Sequence, residues 1–283
     1  MTNSPTMINP YAAQPTSLVA LAGSLWRNRQ LIAQMAKREV VGRYKGSVLE
    51  ISWSFFNPLF MLIVYTFVFS VVFKARWGIN TNESKTQFAI VLFVGLIVHG
   101  LFAEVINRTP GLIISNVNFA KKVVFPLDIL PSVAIDAALF HSLVSLGVLM
   151  VAFVLFNGYL NWRAIFFPFV FLSFIILTLG IAWMLASLGV FLRDLGQITS
   201  IITMVMLFLS PIFYPVTVLP VEFHPLIMAN PLTFIIEQAR EVLMWGYRPD
   251  WAGLGFYTLF AIAVAWSGYA WFQKTRKGFA DVL

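Results

Sequence analysis

Six stretches of this chain run for about twenty residues almost without charge. They cover residues 51–73, 86–106, 131–156, 164–190, 197–217 and 251–273. A helix crossing hydrocarbon about 30 Å thick needs roughly 20 such residues, so each stretch has the length of one membrane span. The only ionisable groups inside these runs are Glu104, Asp136 and His141, with His99 in the second. Water offers no packing that hides six segments of this kind. The whole chain is 59% hydrophobic and 11% charged, against about 25% charged in soluble domains. The fifth stretch runs into Pro211, Pro215 and Pro220, which predicts that its helix ends or breaks near Ser210.

The net charge of +7 raises the question of nucleic acid, and the placement of the cations answers it. With the N-terminus in the cytoplasm, 13 of the 19 Lys and Arg residues fall on cytoplasmic segments. That is the bias which orients membrane proteins. Both termini are therefore predicted to be cytoplasmic, and no nucleic acid is needed to explain the charge. Cysteine is absent, which excludes disulfides, thiolate metal sites and a cysteine nucleophile. Residues 1–17 are polar and proline-rich and read as a disordered lead to a single membrane domain over 18–283.

Three segments are not plain spans. Residues 18–40 place Leu18, Leu21, Ala22, Leu25, Ile32, Ala33 and Ala36 on one side of a helix, with Arg27, Gln30, Gln34, Lys37 and Arg38 opposite. This is an amphipathic helix lying in the membrane interface, and it suits a passive anchor as well as a docking surface. In the 104–130 connection, Thr109-Pro110 suits a helix start, with a short helix over about 110–118 competing with an ordinary loop. Outside, Asn230-Pro231 is predicted to begin a helix through about Trp245 that stops at Gly246. Glu237, Arg240 and Glu241 would form its polar side. A preceding short helix near 218–228 would complete a hairpin dipping into the outer leaflet, or lying on its surface.

The chemistry-bearing motifs are few. His99, His141 and His224 are far apart in sequence and form no metal-ligand pattern; no metal site is expected. A G-x-x-x-x-G-K-[ST] phosphate loop is missing, since Gly42-Arg-Tyr-Lys-Gly46-Ser has neither its spacing nor its Lys-Ser pair. The chain therefore has no means of hydrolysing ATP itself. Ionisable groups in spans are functional suspects, and here they are Glu104 and Asp136, near predicted cytoplasmic ends. Rings are abundant, with 28 Phe in a chain that is 16% aromatic. Phe56 and Phe60, and then Tyr65, Phe69 and Phe73, recur every four residues and so stack along a helix side. They either face lipid or line a path on which sugar C–H faces could slide.

The stretch Arg38-Glu-Val-Val-Gly-Arg-Tyr-Lys-Gly-Ser-Val-Leu-Glu-Ile-Ser-Trp-Ser-Phe-Phe-Asn-Pro-Leu59, continued by Tyr65 and Phe69, resembles the start of the first span in type-2 ATP-binding-cassette permeases that export lipid-linked polysaccharide. Val190-Phe-Leu-Arg-Asp-Leu-Gly-Gln197 resembles that family's loop between spans four and five. Ser210-Pro-Ile-Phe-Tyr-Pro215 and Asn230-Pro-Leu232 resemble its outer loop. Glu50 departs from the family, which often has glycine there.

The resemblance implies an all-α integral membrane fold: six spans, an N-terminal interface helix and external re-entrant gate helices. It implies an exporter subunit of the bacterial inner membrane rather than an enzyme, with no cofactor of its own. A separate ATPase chain would bind ATP and Mg, and a second copy of this chain would complete the channel. The substrate would be an undecaprenyl-type lipid-linked polysaccharide, O-antigen first, with capsule, teichoic acid or a drug or lipid as alternatives. Phe56, Phe60, Tyr65, Phe69, Phe208, Phe213 and Tyr214 would line the channel. Arg38, Arg43, Lys45, Gly111, Leu112, Asn116, Arg193 and Asp194 would meet the ATPase. Asn230, Pro231, Glu237 and Arg240 would belong to the gate.

Overall fold

The computed structural model describes residues 16–73, 77, 85–120 and 125–282. Most of the predicted disordered lead, residues 1–15, lies outside the described residues. Every regular element among those described is helical, and no strand occurs. Among the described residues, five helical stretches are long and apolar enough to cross a membrane: Glu50–Phe69, Gln87–Ser115, Leu127–Asn157, Trp162–Phe191 and Trp251–Gly278. All five coincide with predicted runs. The fifth run of the sequence, 197–217, differs. Its helix Leu195–Leu209 has 15 residues, or about 22 Å of axis, short of the ~30 Å hydrocarbon core. Ser210 leaves it in extended conformation at φ −91° and ψ 150°, because Pro211 disfavours a helical residue before it.

The predicted interface helix is two helices. α1 (Leu18–Arg27) starts where the Ser17 hydroxyl accepts from the Ala20 amide at 3.2 Å. It ends at Asn28, whose side-chain amide donates to the Ser24 carbonyl at 2.9 Å, and α2 (Arg29–Tyr44) follows. The break resets the helical phase. Leu21 and Ser24 are buried on α1 and Ile32, Ala36 and Val40 on α2. Leu18, Ala22 and Ala33, expected on the apolar side, are exposed.

α3 (Trp53–Tyr65) continues as a π-helical stretch, Thr66–Val72. It is preceded by a 3-10 turn at Glu50–Ser52, where Glu50 takes φ +42°. α4 (Lys85–Arg108) is the centre of the bundle, packed by α3, by α7 (Leu130–Asn157), by α8 (Phe167–Phe191), by α9 (Leu195–Leu209) and by α11 (Pro231–Arg240). Its spanning window is 78% buried, whereas that of α3 is 6% buried. α4 is therefore a core element and α3 a rim.

α8 and α12 (Trp251–Thr275) cross tightly at two glycines. A Cβ on Gly180 would lie 2.6 Å from the Ala265 amide nitrogen, and one on Gly268 would overlap the Gly180 carbonyl. In lipid, where no hydrophobic effect drives helices together, small residues that let backbones approach supply the packing. α1, the start of α7 and the end of α12 meet at one end of the bundle. There Leu21 packs in one cluster with Ile113, Leu130, Trp183 and Phe272, Ser24 donates to Asp128 at 2.6 Å, and Arg276 donates to the Phe125 carbonyl at 3.0 Å.

The predicted helix over 110–118 is a set of short turns. A 3-10 turn at Thr109–Gly111 runs into α5 (Leu112–Ser115), and α6 (Val117–Ala120) follows. Thr109 caps nothing: it continues from α4 and donates its hydroxyl to the Val105 carbonyl. The outer hairpin begins with 3-10 turns at Val216–Val218 and Val221–Phe223 and a short α10 (His224–Ala229) in place of one helix over 218–228. α11 starts at Asn230 and Pro231 as predicted, and its π-helical continuation Glu241–Trp245 ends at Gly246, at φ +63°.

Candidate functional site

Two features stand out where α3, α4, α9 and the hairpin meet. The first is a run of stacked rings. Phe69 lies 6.2 Å from Tyr65 and 5.6 Å from Phe213, the latter nearly parallel at 25°. Phe213 stacks in turn on Phe208 at 5.8 Å, and the Tyr214 hydroxyl donates to the Phe208 carbonyl at 2.8 Å. Offset stacking at these separations is favourable by about 0.5–1.5 kcal/mol per pair beyond burial. The structure thus brings together five of the seven expected channel residues, from α3 and from the end of α9. Phe56 and Phe60 form a separate pair at 6.3 Å, nearer the start of α3.

The second feature holds that ladder in place. Arg240, expected on the polar side of its helix, is completely buried. Its guanidinium donates to the carbonyls of Val91 at 3.1 Å, Pro211 at 2.6 Å and Ile212 at 3.2 Å, and to Glu237 at 2.9 Å. It also lies 4.1 Å from the Trp77 ring centroid. Burial draws its pKa down to about 10, which leaves it charged at neutral pH. Gly95 on α4 makes room, since a Cβ there would sit 3.1 Å from the guanidinium. Asn230 adds a second tie. Its oxygen caps α11 at the Leu232 amide, and its nitrogen donates to the Ser210 hydroxyl at 2.9 Å. The segment from Ser210 to Ile212 is therefore clamped by both ends of α11, and Phe213 follows directly. Ile235 and Val242 are buried and Phe234 stacks on Tyr257 at 5.6 Å, so α11 and its continuation turn their apolar side to protein, while Val221, Leu226 and Met228 in the first arm are exposed.

A third group lies toward the opposite end. Glu104 of α4 pairs with Arg43 of α2 at 2.7 Å and with His141 of α7 at 3.0 Å. Arg43, expected at the ATPase surface, makes this ion pair while its side chain stays 45% exposed. The triad borders a cavity of about 420 Å³ that continues past Asn57 and Met61 to Tyr65 and Phe93. His99 borders it too and is satisfied by the Thr203 carbonyl at 2.9 Å. Asp136 is exposed on α7, apart from these contacts. Among the described residues no cluster of His, Asp and Glu could hold a metal ion.

At the same end, α2, the 112–118 turns and the start of α7 enclose a groove of about 740 Å³ lined by Gln34, Arg38, Arg108, Ser115, Asn116 and Asn118. An Arg108–Glu39 ion pair crosses it. Arg38, Lys45, Gly111, Arg193 and Asp194 are exposed and Asn116 half-buried. Leu112 is only 4% exposed and faces the core, while Ile114, not singled out by the sequence, is 41% exposed. Four-residue turns have no periodicity from which the outward residue could be read.

Residues 30–244 match the family described as ABC-2 type transporter. The chain is 26% identical over 268 residues to the O-antigen export system permease protein RfbA of Myxococcus xanthus, covering 94% of this chain and all of that protein. A protein of the same description from Klebsiella pneumoniae is 28% identical over 257 residues, with 89% and 95% covered. The polysialic acid transport protein KpsM of Escherichia coli is 22% identical over 241 residues, with 85% and 91% covered. The matched region runs from the second residue of α2 almost to the end of the hairpin and makes up well over half of the sequence. This chain belongs to the ABC-2 type transporter family.

Proposed function

We infer that the chain is the membrane permease of an ATP-driven polysaccharide exporter in the bacterial inner membrane, with O-antigen as its cargo. The observation that carries this is the near full-length similarity to proteins named for O-antigen export, in a chain with no phosphate-binding loop of its own. A partner ATPase supplies ATP and Mg. It docks on the groove beside α2 and the 112–118 turns, where Arg38, Lys45, Gly111, Asn116, Arg193 and Asp194 are within its reach. Both termini face the cytoplasm, and α9 with the turns of 210–217 makes the sixth crossing.

A second copy covers the open rim. α3 exposes Phe60, Ile63, Val64 and Phe67, and α9 exposes Ile201, Met204, Val205 and Phe208. A path between the two copies would run over Phe56, Phe60, Tyr65, Phe69, Phe208, Phe213 and Tyr214. Rings suit a polymer in transit, because each stacks on a sugar face and none holds it strongly. The lipid carrier enters with the chain, and the hairpin bearing Asn230, Pro231, Glu237 and Arg240 closes the outer end. Deleting this permease from a producing strain is expected to strip polymer from the cell surface and accumulate it inside. Unchanged surface polymer, or ATPase activity in the permease purified alone, would overturn the assignment.

A further inference from the structure

The cavity beside the Arg43–Glu104–His141 triad carries chemistry that the ring ladder does not. It runs along α4 from Glu104 to Phe93, about 16 Å of helix axis. Its volume of about 420 Å³ falls within the ~300–1,000 Å³ of small-ligand pockets. One end is polar and the other aromatic, and Tyr65 at the aromatic end is also the first ring of the ladder.

Two polar groups in it have capacity to spare. Asn57, exposed on α3, makes no side-chain hydrogen bond among the described residues. An unpartnered amide on an apolar span is costly in lipid. Glu104 receives Arg43 on one oxygen and His141 across both, while an ionised carboxylate has about four acceptor sites. The charges decide what kind of ligand fits. Arg43 is paired with Glu104, so an incoming phosphate would meet the carboxylate beside the guanidinium. A neutral polyhydroxyl ring meets an acceptor in Glu104, a donor and acceptor in Asn57, and apolar aromatic lining from Tyr65 and Phe93.

We propose that this cavity is a binding site for a single sugar residue of the exported chain, placed ahead of the aromatic path and within one permease copy. The proposal rests on the exporter assignment and deepens it. Glu104 and Asn57 hold the hydroxyls, Arg43 and His141 fix the Glu104 carboxylate in position, and Tyr65 passes the ring to Phe69.

The test uses the full permease with its ATPase in cells making the polymer. A benzoylphenylalanine photo-crosslinker replaces Met61 in the cavity or, as a control, Phe169, which is exposed on α8. Illumination is expected to attach glycan at position 61 and not at 169. The glycan should stay attached after mild acid, which cleaves a glycosyl–phosphate bond. Glu104→Gln and Asn57→Ala should each lower the yield about tenfold, the scale of one lost hydrogen bond to a charged or buried group. Because Asn57 has no protein partner, its variant folds even if Glu104→Gln does not. Normal export with crosslinks at positions 69 and 208 but none at 61 would overturn the site and leave the exporter assignment standing. So would glycan released by mild acid, or an undiminished yield in the Asn57 variant. Surface polymer that persists without this permease would overturn both.

Discussion

Replacing Arg240 by Met removes the tie between the outer hairpin and the end of α9 while keeping an unbranched side chain of similar reach. The Val91 carbonyl belongs to α4 and keeps its helical partner, so losing Arg240 there costs little. The carbonyls of Pro211 and Ile212 follow the end of α9 and lose their buried donor; each such orphan costs about 1–3 kcal/mol. Glu237 is 30% exposed and can turn to water. The expected loss is therefore about 3 kcal/mol of hairpin closure, or about 150-fold in the closed-to-open ratio. The chain has no cysteine, so Ile212→Cys, fully buried in the closed form, gives a single maleimide site. Its labelling rate should rise about 10²-fold when Arg240→Met is added. Arg240→Lys should give an intermediate rate, since one ammonium keeps the charge but cannot reach three carbonyls and the Trp77 face together. Equal labelling with and without Arg240→Met would refute the reasoning, because it would mean that the guanidinium does not hold residues 210–212.

Glu50→Gly should stabilise the purified permease by about 1 kcal/mol, read as a raised unfolding midpoint, because φ +42° is strained for a residue with a Cβ and free for glycine. Gly268→Ala should lower that midpoint by an amount corresponding to at least 1–3 kcal/mol, since its Cβ would overlap the Gly180 carbonyl, whereas Gly255→Ala, with open space around it, should not. Phe213→Ala removes two stacked contacts, with Phe69 and Phe208, and should slow polymer export in a pulse-chase while the permease remains folded and bound to its ATPase.

The spans were legible because length and apolarity are properties of contiguous residues. The run at 131–156 becomes the helix Leu130–Asn157, and the Asn230-Pro231 cap is found where a side-chain oxygen and a proline ring favour a helix start. What could not be read depends on partners distant in the chain. The neighbouring Glu237 does not show that Arg240 is buried, because its other acceptors are Val91, 149 residues away, and the 211–212 carbonyls. Arg43 is an exposed cation, and only the fold brings it to His141, 98 residues on. The break at Asn28 falls in the polar run Arg27-Asn-Arg-Gln30, which an amphipathic helix would also accommodate on its polar side. Glu50 carried a signal, as a side chain where the family often has glycine, and that signal falls on a backbone conformation that favours glycine.

The enclosure of α4 has a consequence for how the protein is made. The helix emerges from the ribosome before most of its walls exist. His99 must wait for Thr203, 104 residues later, which at about 5–20 residues per second is roughly 5–20 s. Glu104 has Arg43 from the start but gains His141 only after 37 more residues. For that interval the core of the finished bundle is held by the insertion machinery and by lipid. A slowed ribosome, or a limiting insertase, should therefore harm this helix before the α8–α12 pair, whose contacts form only once the last span has arrived.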